Sequence, residues 1–124
     1  MKTLPQISDM EWQVMKILWA KAPLTANQVI KQIEGIMPWK PKTVKTMLGR
    51  LVKKKAVAFH VEGREYVYYP LVAEVDCIKA ESQSFLDKVF SGALNVMFAN
   101  FLEEQQLSKE EIAELKRILD QKKK

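Results

Sequence analysis

Between Ala56 and Leu71 the chain reads "AVAFHVEGREYVYYPL", with β-branched and aromatic residues at alternate positions on either side of Glu62-Gly63. A period of two around a central glycine predicts a β-hairpin with a tight turn. The rest of the sequence keeps a different period. Three stretches of helical spacing precede the hairpin and three follow it, so the chain is mostly α with a small β-hairpin.

The first two helices announce their own starts. In "ISDMEWQVMKILWA", Ser8 and Glu11 form a capping box, each side chain serving the other's backbone N–H. Ile7 and Trp12 have staple spacing, and Val14, Met15, Ile17, Leu18 and Trp19 supply a broad apolar stripe ended by Pro23. In "LTANQVIKQIEGI", Thr25 is the cap and Gln28 its partner. Val29, Ile30, Ile33 and Ile36 are the expected buried stripe, and Gly35 and Pro38 end the helix.

The third helical stretch, "KPKTVKTMLGRLVKKK" from Lys40 to Lys55, carries seven cations and no carboxylate. Pro41 suits the first helical position, where a missing N–H costs nothing. At about 100° per residue, Val44, Met47, Leu48, Leu51 and Val52 share one arc. Lys42, Thr46, Gly49 and Lys53 point the opposite way, with Thr43, Lys45 and Arg50 on the flanks. A merely solvated face would interleave Glu with Lys for pairing. An acid-free cationic face is instead suited to a polyanion.

Three helices followed by a hairpin is the order of a winged helix-turn-helix domain, whose third helix enters the major groove of DNA. Lys42, Thr43, Lys45 and Thr46 lie in the first turns, where side chains reach base edges. Lysine can donate to guanine O6 and N7, and a threonine methyl can touch the thymine methyl. Arg50 and Arg64, the latter at the wing tip, suit phosphates. Thr25 can act both as a cap and as a phosphate donor at its helix N-terminus. Lys40 stands where a helix N-terminus disfavours a cation unless phosphate is near. Charge supports this division. Residues 1–72 hold twelve Lys and Arg against five Asp and Glu, whereas residues 73–124 hold eight against ten. A domain at 1–72 that binds double-stranded DNA is expected, followed by a helical dimerisation domain at 73–124.

The second half reads as three short helices. Val75, Ile78, Phe85, Leu86 and Val89 mark one, which breaks near Ser91-Gly92. Leu94, Met97, Phe98, Phe101 and Leu102 mark the next. Ser108 and Glu111 open the last with another capping box. Lys122, Lys123 and Lys124 read as a frayed tail. So many large apolar residues need a surface, and a second copy supplies it, since operator-binding proteins of this type are commonly two-fold symmetric. Phe85, Val89, Phe98, Phe101, Ile112, Leu115, Ile118 and Leu119 are the expected dimerisation residues.

Catalysis finds little support. His60 is the only histidine and lies in a strand pattern, and Cys77 is the only cysteine. No phosphate-binding loop, dinucleotide fingerprint or metal-ligand spacing is present, so neither an enzyme nor a cofactor or metal is expected. No run of about 18 apolar residues is present. The N-terminus lacks a secretory signal, so a cytoplasmic location without membrane insertion is expected.

"SDMEWQVMKILW", "LTANQVI", "WKPKTVKTMLGRLVKK", "YYPLV" and "ANFLEEQQLSKEEIAELKRIL" together resemble the penicillinase and methicillin-resistance repressors, the BlaI/MecI family. The resemblance runs from about Ile7 to Leu119. It implies a homodimeric winged-helix repressor on a dyad-symmetric operator of a β-lactam-resistance operon. Release would follow from proteolysis triggered by a membrane-embedded sensor metalloprotease. In relatives the cleaved bond joins Asn to Phe, which "FANFLEE" places at Asn100-Phe101. This sequence departs from the family at Lys55, where relatives often carry glycine, and at Lys40, where they usually carry a cap-like serine. It lacks the paired C-terminal cysteines of the copper-responsive branch. The alternatives are a repressor of an unrelated operon released by another signal, or a winged-helix module for protein contact.

Overall fold

Two capping boxes set the first two helices, as their sequences require. In the computed structural model, which describes residues 4–122, the first helix is α1 (Asp9–Lys21). The Ser8 N–H donates to Glu11 Oε1 at 2.9 Å, and the Glu11 N–H donates to Ser8 Oγ at 3.2 Å. A two-residue strand, β1 (Leu24–Thr25), leads into α2 (Ala26–Glu34), where Thr25 and Gln28 make the same reciprocal pair. Pro41 opens α3 (Pro41–Lys53). Then come β2 (Val57–Glu62) and β3 (Glu65–Pro70).

The hairpin register pairs Glu62 with Glu65 and Val57 with Pro70, leaving Gly63 and Arg64 as the turn. Gly63 has φ +63° and Arg64 has no positive φ, which matches a II′ turn with glycine at its first central position. β1 pairs antiparallel with β3 through Leu24↔Tyr68 and Thr25↔Val67, so the sheet order is β1-β3-β2. This is a winged helix-turn-helix fold.

Val14, Leu18, Val29, Ile33, Val44, Leu48 and Leu51 form the centre of the core, one row from each helix. Each such residue contributes about 1.5–3 kcal/mol by leaving water. Ile36 is not part of this row. It lies beyond the end of α2 and is 59% exposed, because the helical phase that would have turned it inward stops at Glu34. Trp12 and Trp19 pack against the core in an edge-to-face pair with centroids 5.4 Å apart. The Trp19 indole N–H donates to the Val72 carbonyl at 2.9 Å.

After the wing comes α4 (Glu74–Phe90), ended by Ser91 and Gly92, both at positive φ. Two further helices follow, α5 (Leu94–Glu104) and α6 (Lys109–Gln121), the latter opened by the Ser108–Glu111 capping box. The chain divides into two compact units, one running to Ala80 and one beginning at Glu81. The sequence pattern changes at 72/73. The first unit extends two helical turns beyond that point because Cys77 is buried in its core. Burial, then Asp76, pushes the Cys77 thiol pKa up. In the second unit Phe85, Phe90 and Phe101 form an aromatic trio with centroids 6.0–6.3 Å apart. α5 and α6 contain no buried residue in the single chain. Lys122 caps α6, and Lys123 and Lys124 lie outside the described residues.

Candidate nucleic-acid interface

Val44, Met47, Leu48 and Leu51 are all buried, so α3 is fixed by one side. The opposite side is open. Lys42, Lys45, Thr46, Gly49, Arg50 and Lys53 are exposed, and Thr43 is half-buried. A methyl group built on Gly49 would meet nothing within 4 Å. The N-terminus of α3 has no side-chain cap and no acid in its first turn, and Lys40 occupies the cap position. Partial positive charge from the helix end therefore adds to that of Lys40 and Lys42. Pro41 brings no N–H and the Thr43 N–H donates to the Lys40 carbonyl at 2.9 Å, so it is the cations and the helix dipole, more than free donors, that suit this end to an anion.

One concavity of about 330 Å³ gathers residues remote in sequence. Thr25, Ala26 and Asn27 come from the start of α2, Lys45 from α3, and Arg64, Glu65, Tyr66 and Tyr68 from the wing. β1 is what makes this possible, because its pairing with β3 brings the start of α2 to the wing strands. The expected residues Thr25, Lys45 and Arg64 thus converge on one surface. Asn27, Tyr66 and Tyr68 share it without having been singled out in the sequence. Their residue types are common in turns and strands, and only the three-stranded pairing places them there. Burial, then Tyr66, pushes the Tyr68 pKa up.

Hydrogen bonding narrows what each side chain can do. Thr25 Oγ1 accepts from the Gln28 N–H at 3.2 Å, which leaves its own O–H free to donate. Thr46 Oγ1 donates to the Lys42 carbonyl at 2.9 Å, leaving its lone pairs and methyl for an outside contact. Lys54 differs from its neighbours. Its ammonium group lies 2.5 Å from Glu11 Oε1 and donates to the Gln6 carbonyl at 2.8 Å. The run Lys53-Lys54-Lys55 is therefore not a uniform cationic strip, which the sequence did not reveal. Lys55 adopts φ +66°, a left-handed conformation in which glycine is usual.

The other expected residues lie elsewhere. Asn100 and Phe101 are in the middle of α5, with Phe101 against Phe85 and Phe90. Phe85, Val89, Phe98, Ile112, Ile118 and Leu119 are exposed, and Leu115 is half-buried. His60 stands on the wing, 3.4 Å from Glu62. Among the described residues no three His, Cys, Asp or Glu side chains cluster as metal ligands, and no helix is long and apolar enough to cross a membrane.

Known proteins are similar to this chain along nearly its whole length. A penicillinase repressor of Bacillus licheniformis is 50% identical over 123 residues, 99% of this chain and 96% of that protein. The methicillin resistance regulatory protein MecI of Staphylococcus aureus is 39% identical over 117 residues, covering 94% of this chain and 95% of MecI. Among solved structures, the monomeric form of Bacillus licheniformis BlaI in complex with the blaP half-operator matches with TM-score 0.54 and 49% identity. That match covers 61% of this chain and 93% of the other. The family model described as Penicillinase repressor matches residues 7–121, and the chain belongs to that family of transcriptional repressors.

Proposed function

We propose that this chain is a cytoplasmic, dimeric, DNA-binding repressor of a β-lactam-resistance operon, with no catalytic role of its own. The observation that carries the reading is the face of α3 that presents cations without a single acid while its other side is locked in the core. Lys42, Thr43, Lys45 and Thr46 read bases in the major groove. Lys40, Arg50, Arg64 and Thr25 hold phosphates, and the surface shared by Thr25, Lys45 and Arg64 supports a single backbone path across them. The identities to the penicillinase repressor and to MecI support the regulatory role.

The second unit joins two copies on a dyad-symmetric operator. Its exposed Phe85, Phe98, Phe101, Ile112, Ile118 and Leu119 support that role. A sensor metalloprotease pathway in the membrane ends repression by cleavage at Asn100-Phe101. A bond in mid-helix must open locally before a protease can hold it. Cutting there removes α6 and part of the apolar surface. The dimer weakens, and two linked half-site contacts become two weak separate ones.

Fluorescence anisotropy on operator and random duplexes across a salt series tests the DNA reading. Replacing the cations assigned to phosphate, Lys40, Arg50 and Arg64, together by alanine should flatten the log–log salt slope by about 2.7, at about 0.9 per phosphate contact. Retained affinity and slope in that variant would sink the reading. Induced cells should contain a fragment ending at Asn100; an intact chain after induction would refute cleavage.

A further inference from the structure

Glu11 is the one charged residue buried among those described, at 1% exposure. It serves two elements at once. Its carboxylate closes the N-terminal capping box of α1, and the same oxygen that accepts from the Ser8 N–H faces the Lys54 ammonium 2.5 Å away. Lys54 is the C-cap residue of α3, and its backbone N–H donates to Arg50 and Val52 carbonyls. Its ammonium also holds the Gln6 carbonyl, just before α1. A carboxylate at the positive end of α1 and an ammonium at the negative end of α3 each suit their own helix dipole. The chain thus ties the start of one helix to the end of the other through a charge pair, 43 residues apart in sequence.

Exchange of such a pair for well-packed neutral groups is often harmless to stability, so its presence argues for orientation more than for strength. Against α1, α3 otherwise rests on apolar contacts, which are non-directional and tolerate small rotations. A rotation of α3 about its axis would move Lys42, Lys45 and Arg50 together relative to a groove.

We propose that Glu11 and Lys54 are a positioning pair: they set the orientation of α3 on α1, and so govern DNA affinity without either residue touching DNA. This rests on the repressor reading above. It separates Lys54 from its neighbours in the 53–55 run, since two of its three ammonium N–H groups are already committed to Glu11 and the Gln6 carbonyl.

The test is half-site affinity of the full-length protein across a salt series, at a temperature where circular dichroism shows every variant folded. A merely stabilising pair would leave that affinity unmoved. Lys54→Met and Glu11→Gln should each lose about 2- to 30-fold in affinity, a range usual for residues that act without touching the ligand. The salt slope should stay at the wild-type value, whereas Arg50→Met, at a residue assigned to phosphate, should flatten it by about 0.9. Lys54→Arg, which keeps the charge, should restore affinity. If Lys54→Met flattens the slope as Arg50→Met does, or if both pair variants bind like wild type, the proposal is overturned. Should the single variants fail to fold, Glu11→Gln combined with Lys54→Met decides by the same slope. Wild-type protein that does not bind DNA would refute the repressor reading itself, and the pair's role with it.

Discussion

Lys55→Gly should stabilise the first unit, and the amount can be worked from the end of α3. There the Ala56 N–H donates to the Leu51 carbonyl and the Lys55 N–H to the Val52 carbonyl, both at 3.0 Å. That pair of bonds is a Schellman motif, and it requires its pivot residue to be left-handed. Lys55 is the pivot, at φ +66°. An L-residue in that region costs roughly 1–2 kcal/mol. Glycine removes this cost but gives back about 0.5–1 kcal/mol through a freer unfolded chain. The net gain is about 0.75 kcal/mol at the middle of these ranges, or about 3–6 °C in Tm for a unit of this size. All three tryptophans, Trp12, Trp19 and Trp39, lie in the first unit, so fluorescence follows its melting alone. Lys55→Ala is the control, because it removes the cation but keeps the strained backbone. Equal gains from alanine and glycine would show that charge repulsion along 53–55 is responsible, and no gain from glycine would refute the strain argument.

Acid should loosen the same unit through Glu11. Burial pushes its pKa up, but the Lys54 ammonium and the Ser8 N–H and hydroxyl outweigh that, so the pKa ends below its ordinary value. The unfolded chain therefore binds the proton first. The contribution is complete above the ordinary carboxylate range and is lost as pH falls through the depressed folded value. Urea melts on a pH series should show this step in wild type, and a Glu11→Gln profile with the same step would refute it. Gly49→Ala should stabilise α3 by about 1 kcal/mol, since glycine is a poor helix former and open space surrounds the site. The same variant should weaken operator binding, because the added methyl lies on the face that meets DNA; unchanged anisotropy would count against that placement. Phe101→Ala should leave the tryptophan melt of the first unit in place and weaken self-association by about 1.5–3 kcal/mol per copy. An unchanged sedimentation profile at micromolar concentration would refute a dimer contact at Phe101.

Much of this was legible in the sequence because it depends on neighbours. The three capping boxes, Pro41 and the Gly63 turn are decided within four residues, and all appear as read. The buried row of α3 follows from helical phase alone. What escaped depends on distance. β1 is two residues long and has no periodicity to detect, yet it brings Thr25 to the wing. Glu11 reads as a cap partner and Lys54 as one cation in a run, and only folding makes them a pair. By pattern the helix of Cys77 belongs to the second half, but its burial puts Cys77 in the first core. Ile36 keeps helical phase in the sequence, but the helix has already stopped.

Two helices with no fully buried residue have a consequence for how the cell would set repression. No residue of α5 or α6 is fully buried in a lone chain, so in a dimeric repressor their order draws largely on a second molecule rather than on local folding alone. Copy number then enters twice, once in making the dimer and again in filling the operator. Occupancy would fall more steeply than in proportion as the protein is diluted. A modest loss of intact chains, by any route, would be enough to switch the promoter on.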